Sequence, residues 1–383
     1  MENKYLKTGD KKECNGCGIC TKVCNFGAIK MIEDSEGFFY PKIDEKKCRD
    51  CGACKRICSN FNESQNESDI YLARVKNKDN LANCSSGGMF YELAKYVINK
   101  GGEVFGVEYD KNLMVQHNHY STLKECKKFR GSKYVRSDLR DSLEEVKKFL
   151  DEDKYVLFTG TSCQCNALKV FLKKDYEKLI NCDILCHANP SQKIFKAYIQ
   201  ELERKKEKKI VDVEFRAKKT GWKNQVPIIV FDDGEEIQEN TYFSAFVNEM
   251  INRISCYYCK FATPRRVTDF TIGDFWGLDS IYKDVVDDDK GESLLLVNTE
   301  KGKNIFKEIS TEMDYRKCEN DLPLKNNHFK NVQVHKNRNK FFENLDEENI
   351  IEEMKRYLKP NIEKMVKKDI KRIIKKCKGK INE

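Results

Sequence analysis
The chain has 383 residues, a net charge of +9 and 18 cysteines, too long for one small cofactor module and long enough to carry an ordinary to large domain behind one. No run approaches the roughly 18 apolar residues that a membrane-spanning helix needs, which excludes that class. The surplus charge comes from lysines spread along the chain without interleaved aromatics, the pattern of a solvated face, so nucleic acid is not an expected partner.

Residues 1–13 are polar and lysine-rich and lack the apolar core of a secretory leader. With so many thiols, a reducing cytoplasm in a low-oxygen organism is the expected setting. Cys14, Cys17, Cys20 and Cys24 are then repeated as Cys48, Cys51, Cys54 and Cys58, each offset by 34 residues, an internal duplication. Two-residue gaps let three thiolates of one tight loop reach three irons of a cubane, and the fourth cysteine ligates the cluster built by the other run. Two 4Fe-4S clusters are expected. Zinc knuckles share the Cys-x-x-Cys pair, but they take four ligands from two pairs, not from a ladder with a third evenly spaced cysteine. The stretch from Cys24 to Ile29 resembles the close of a cluster loop in bacterial two-cluster ferredoxins, with Asn25 and Ser59 where those have proline. Short strands are predicted over 29–33 and 38–43, around a turn at 35–37.

Residues 60–69 have the polar, turn-forming composition of a linker. Beyond them the pattern predicts a strand over 70–75, a glycine-bearing loop at Ser85 to Gly88, a helix over 89–99 with Leu93, Tyr96 and Val97 at helical spacing, and a strand over 103–109. A second unit follows: helix 143–150, buried strand 155–159, helix 167–174, strand 179–185 and an amphipathic helix over 190–204. Such alternation argues for a parallel or mixed sheet covered by helices. Segments 210–216, 226–231 and 235–238 read as antiparallel strands. From residue 347 the chain reads as a basic amphipathic helix interrupted at Pro360, with an apolar stripe that includes Ile351, Met354 and Ile374. Packing of that stripe on the protein's own core is the favoured reading, and peripheral contact with an anionic membrane surface the lesser one. The expected fold class is α+β / α/β: a bacterial-type two-cluster ferredoxin domain (1–62), a mixed α/β flavin-binding domain (70–340) and a basic helical tail (341–383).

Cys163 follows the strand at 155–159 and Cys186 the strand at 179–185. As parallel neighbours, these strands would bring both cysteines to the carboxyl edge of the sheet, where open α/β folds bind ligands. Cys256 and Cys259 add a pair at metal-ligand spacing, so a third 4Fe-4S cluster on Cys163, Cys186, Cys256 and Cys259 is predicted. The plainer alternative makes Cys163 and Cys186 small buried apolar residues. Cys165 and Cys182 are the nearest substitutes, and Cys84, Cys126, Cys318 and Cys377 read as ordinary. Clusters move single electrons, so a substrate that takes them in pairs needs a converter, which a flavin supplies. Ser85, Ser86, Gly87 and Gly88 at a helix start offer backbone N–H groups and the positive helix end to an FAD pyrophosphate. The loop also fits a plain capped turn, and no Gly-x-Gly-x-x-Gly follows a strand. Arg130, Lys133 and Arg136 form a basic loop suited to a phosphate, a reduced isoalloxazine or solvent. Asp274 is placed against a cofactor hydroxyl or as a turn cap, beside Arg266, Asp269 and Trp276. His187 is read as a proton donor or as an orienting residue beside Cys186, and no residue is assigned as catalytic.

Segments 129–137, 157–164, 183–195, 215–222 and 259–277 resemble those of the coenzyme F-420 hydrogenase/dehydrogenase beta-subunit family, over a stretch from about residue 70 past Gly277. The sequence departs from that family at Ser162, where relatives usually have proline, and at Ala188-Asn189, where they usually have Gly-Val. The resemblance implies FAD, iron–sulfur clusters and, in methanogen members, hydride exchange with the deazaflavin coenzyme F-420. It implies an iron–sulfur flavoprotein oxidoreductase whose amino-terminal clusters exchange electrons with a ferredoxin or a partner oxidoreductase subunit. The alternatives are an electron-transfer subunit without chemistry of its own and a reductase linked to surface-polysaccharide synthesis, since fold does not fix substrate.

Overall fold
The computed structural model describes residues 4–58 and 67–358. The duplication seen in the cysteines extends to the backbone. Short helices Ile19–Lys22 and Ala53–Ile57 each start at a glycine with positive φ, Gly18 at 76° and Gly52 at 72°. Two residues earlier the chain turns left-handed again, at Gly16 (φ 71°) in the first copy and at Asp50 (φ 46°) in the second. The second copy thus holds a side chain in a bend that favours glycine. β1 (Ile29–Glu33) and β2 (Phe39–Ile43) pair antiparallel with Ile29 opposite Ile43. Asp34 Oδ1 closes their turn by accepting from the N–H groups of Glu36 and Phe38 at 3.1 and 2.9 Å.

The body follows with β3 (Asp69–Val75), β4 (Glu103–Tyr109), β5 (Val115–Tyr120), β6 (Val156–Thr161), β7 (Leu179–Ile184), β8 (Ile210–Glu214), β9 (Ile228–Phe231), β10 (Glu236–Gln238), β11 (Phe270–Asp274), β12 (Ser293–Val297) and β13 (Met313–Lys317). Eight of these form one mixed sheet in the order β13-β3-β12-β11-β7-β6-β4-β5, and β8 to β10 form a separate antiparallel one. β4, β6, β7 and β11 are joined by parallel pairings, and β5 and β12 pair antiparallel to their neighbours. The central strands are covered on both faces. Leu157 packs with helices Met89–Asn99 and Glu300–Ile309, whereas its neighbours Val156 and Phe158 pack with helices Ser142–Asp151 and Ser162–Leu172.

Two departures from the sequence reading bear on the site. The helix expected over 167–174 starts at Ser162, because Thr161 and Gln164 form a capping box. That places Cys163 in the first turn of a helix instead of in a loop. Periodicity predicts no element at β5, β11, β12 or β13, and these strands take their state from their neighbours in the sheet. At the other end, helix Ile350–Leu358 packs on the body: Ile350, Ile351 and Met354 are buried, and the Ile351 N–H donates to Glu201 Oε2 at 2.7 Å. Residues 359–383, with the rest of the stripe and Cys377, lie outside the described residues, as do Ser59 and residues 60–66 of the expected linker. Among the described residues no helix is long and apolar enough to cross a membrane.

The amino-terminal domain is keyed to the body through its β1–β2 turn. Gly37 has a φ of 82°, and a Cβ there would lie 2.4 Å from Lys193 Cβ and 2.8 Å from Ser191 Oγ, so the close approach needs glycine. Ser191 Oγ donates to Glu36 O at 2.8 Å, and buried Arg338 forks onto the Glu36 carboxylate at 3.1 and 2.5 Å. Buried Arg253 donates to Cys14 O and Phe39 O, both at 3.0 Å, with its guanidinium 4.1 Å from the centre of the Tyr40 ring.

Candidate redox centre
Parallel pairing sets Thr161 of β6 opposite Ile184 of β7, so Cys163 and Cys186, each two residues further on, leave the sheet side by side at its carboxyl edge. The 3-10 helix Ile254–Tyr258 carries Cys256, with Cys259 as the next residue. These four cysteines line one cavity of about 110 Å3 together with Cys17 and Cys58 of the amino-terminal domain and with Arg136. Arg136 Nη1 donates to Cys163 Sγ at 3.4 Å and Asn189 Nδ2 to Cys186 Sγ at 3.5 Å. Cys165 and Cys182, by contrast, are fully buried on opposite faces of the sheet.

Burial pushes these thiols up, Cys17 and Cys256 to about 11 and Cys58 and Cys259 to about 12. Metal loading must therefore expel protons at neutral pH. Neighbouring thiols act on one another within each domain and across the joint, where Cys17 feels both Cys14 and Cys163. Cys20 feels Cys17, Cys14, Cys58 and, last, Cys54, whereas Cys54 feels Cys24 and Cys48. Cys186 feels Cys256, Cys163 and Cys259. All the described cysteines are free of disulfides. Among the described residues no three Cys, His, Asp or Glu side chains gather tightly enough to hold one ion. A cubane interposes its own irons and sulfides between four thiolates and asks for a looser ring than a single zinc does.

Behind the cysteines, Asp183 is fully buried and accepts from Thr268 Oγ1 at 2.8 Å, Thr271 Oγ1 at 2.6 Å and Arg266 Nη1 at 3.0 Å. Ser162 Oγ bonds both Asp183 and Arg266, a role open to it because it is not proline. Asp269 Oδ2 accepts from the Asn181 N–H at 3.0 Å. His187 lies between Glu249 and His328, with Nε2 2.5 Å from Glu249 Oε1 and Nδ1 3.1 Å from His328 Nδ1.

The residues expected around a flavin are partly brought together. Arg216, in segment 215–222, donates from Nη2 to Ser85 O at 3.2 Å and from Nη1 to Asp274 Oδ2 at 2.7 Å and Tyr134 Oη at 3.1 Å. Lys218 Nζ donates to Ser86 O at 2.7 Å. Trp222 stacks on Trp276 at 4.6 Å. Arg216, Lys218 and Trp222 lie in a segment that carries the family resemblance, but the sequence alone assigns them no role. Gly88 caps helix Met89–Asn99 without a side-chain bond, while the Gly87 N–H is already held by Ser293 Oγ at 2.9 Å. Arg130 turns to Asn80 Oδ1 at 3.1 Å, and Lys133 to the carbonyls of Arg130 and Lys128 at 2.8 and 3.0 Å. Burial pushes the Lys133 amine down to about 8.

A 4Fe-4S dicluster domain matches residues 13–61, and the carboxyl-terminal part of the coenzyme F420 hydrogenase/dehydrogenase beta subunit matches residues 153–321. The chain therefore carries a domain similar to the carboxyl-terminal part of that beta subunit, with a dicluster domain ahead of it. The first match holds all eight cysteines of the duplicated ladder, and the second holds Cys163, Cys186, Cys256 and Cys259 with Arg216 and Asp274. With these two matched domains the chain is an iron–sulfur protein of the electron-transfer oxidoreductase type, related to that beta subunit. Among solved structures it is similar to the F420-reducing NiFe hydrogenase complex from Methanosarcina barkeri, studied as a xenon derivative, at 16% identity over 76% of this chain and 91% of that one, with a TM-score of 0.46. No curated protein matches.

Proposed function
We propose that this chain is an iron–sulfur flavoprotein oxidoreductase that exchanges electrons with a ferredoxin or a partner oxidoreductase subunit. In this reading Cys14, Cys17, Cys20 and Cys58 hold one 4Fe-4S cluster, Cys24, Cys48, Cys51 and Cys54 a second, and Cys163, Cys186, Cys256 and Cys259 a third. Ser85 to Gly88, Arg130, Lys133 and Asp274 hold FAD, joined by Arg216 and Lys218. When bound, clusters supply one-electron transfer and a flavin couples it to hydride chemistry. The chain's own part is to hold the sulfurs in order and to keep the path short. The observation that carries the reading is the shared cavity in which Cys17 and Cys58 meet the four cysteines of the sheet edge. Support for FAD is the start of helix Met89–Asn99, where no side chain bonds the first turn, and the charge of Arg216 between Ser85 and Asp274. The family's name makes coenzyme F-420 the first substrate to try.

Anaerobic preparation of the full chain is expected to yield about twelve irons, as many sulfides and one releasable flavin. Cys256→Ser should lower iron by about a third and leave the amino-terminal signals intact; unchanged iron refutes the third cluster, and no releasable flavin refutes the FAD assignment. Turnover of coenzyme F-420 by the chain alone supports an enzyme, and turnover only with a partner present assigns an electron-transfer subunit.

A further inference from the structure
Arg136 stands where the two domains' cysteines meet. It lines the cavity of six cysteines and also the larger cleft of about 890 Å3 between the amino-terminal domain and the body. Its backbone is fixed on both sides: the Arg136 N–H donates to Pro190 O at 3.0 Å, and two residues on the Asp138 N–H donates to Val115 O at 3.0 Å. Gln164 Nε2 holds Ser137 Oγ at 2.9 Å. The side chain ends on Cys163 Sγ. Cys17 of the amino-terminal domain and Cys256 of the body line the same cavity beside it. Arg253, three residues before Cys256, differs in that its Nε and Nη2 donate to the carbonyls of Cys14 and Phe39, not to a sulfur. Arg136 does not line the cavity around Cys24, Cys48, Cys51 and Cys54 of the other quartet.

We propose that Arg136 is a positioning residue shared by two redox centres, a fixed cation between the Cys14/Cys17/Cys20/Cys58 set and the Cys163/Cys186/Cys256/Cys259 set that raises the reduction potentials of both and leaves the Cys24/Cys48/Cys51/Cys54 set untouched. This rests on the cluster assignment above. Reduction adds negative charge at a cluster, so a nearby cation and an N–H bond to a ligand sulfur both favour the reduced form.

The test is a redox titration of the anaerobically prepared full chain, followed by electron paramagnetic resonance, for the native protein, Arg136→Gln and Arg136→Lys. In Arg136→Gln with full iron content, two of the three potentials should fall and the third stay in place, and Arg136→Lys should recover most of the loss. Unchanged potentials, or three equal shifts, overturn the proposal while the cluster assignment stands. Native protein with only two clusters' worth of iron overturns the assignment itself. A measurement on the native chain does not depend on whether the variants fold. With 15N-labelled arginine, pulsed resonance of the reduced protein should show a nitrogen coupling on the third cluster, and its absence overturns the contact.

Discussion
Asn189 donates from Nδ2 to Cys186 Sγ at 3.5 Å. A side-chain N–H aimed at a ligand sulfur favours the reduced state of a cluster. Asn189→Val is therefore expected to lower one potential with iron content unchanged, as read by the same titration. Glu292 governs a different property. Burial, offset in part by Arg74 at 3.0 Å and reinforced by Asp288 and Asp287, pushes its carboxyl up to about 7, against 4.5 for an ordinary glutamate. Between those values the folded chain keeps a proton that the unfolded chain has lost, so the contribution of Glu292 to stability is greatest below pH 4.5 and is lost as pH rises through 7, by on the order of 3 kcal/mol. Glu292→Gln should flatten that slope in denaturant unfolding at pH 5 and pH 8. Its carbonyl holds Ser86 Oγ at 2.7 Å, which ties the effect to the loop assigned to FAD.

Helix Ser162–Leu172 shows how one short signal sets an element and, through it, a ligand. Thr161 and Gln164 start the helix, and Thr161 Oγ1 also lies 3.2 Å from Cys163 Sγ. Thr161→Ala should cost about 1 kcal/mol of stability in denaturant titration, and Thr161→Ser much less. The capping box is present in the sequence, ahead of the start at residue 167 that periodicity alone gives. The strands flanking Cys163 and Cys186 were legible because runs such as Val156 to Thr159 are buried on both faces and carry a strong local pattern. β12 is as fully buried, yet it is one short apolar run, and periodicity alone does not separate such a run from a helix segment. Gly37 belongs to the same scale. Its bend was read as an ordinary turn because the reason for a glycine there lies in Lys193 and Ser191, far along the chain.

The joint between the amino-terminal domain and the body is the property of the whole molecule that the sequence did not reveal. Glu36 and Arg338 meet across almost the full described length, and Arg253 reaches the carbonyl of Cys14. Such contacts leave no local pattern, whereas the cysteine ladders announce themselves by spacing. Arg338→Ala leaves the Glu36 carboxylate without its partner and should cost about 3 kcal/mol or more in denaturant unfolding. Small-angle scattering of the same variant should show a larger radius if the domain separates from the body, and an unchanged radius would assign the joint to Arg253 and Gly37 instead.

That joint also imposes an order on biogenesis. The lobe carrying the duplicated ladder leaves the ribosome first, yet the arginines that seat it, Arg253 and Arg338, are synthesised much later. Once seated, Lys12, Glu13, Cys17 and Cys58 form part of the wall around the remaining four thiols. Iron supplied during synthesis, before that wall is in place, is therefore expected to fill the chamber faster than iron offered to the finished apoprotein, as iron incorporation followed over time would show.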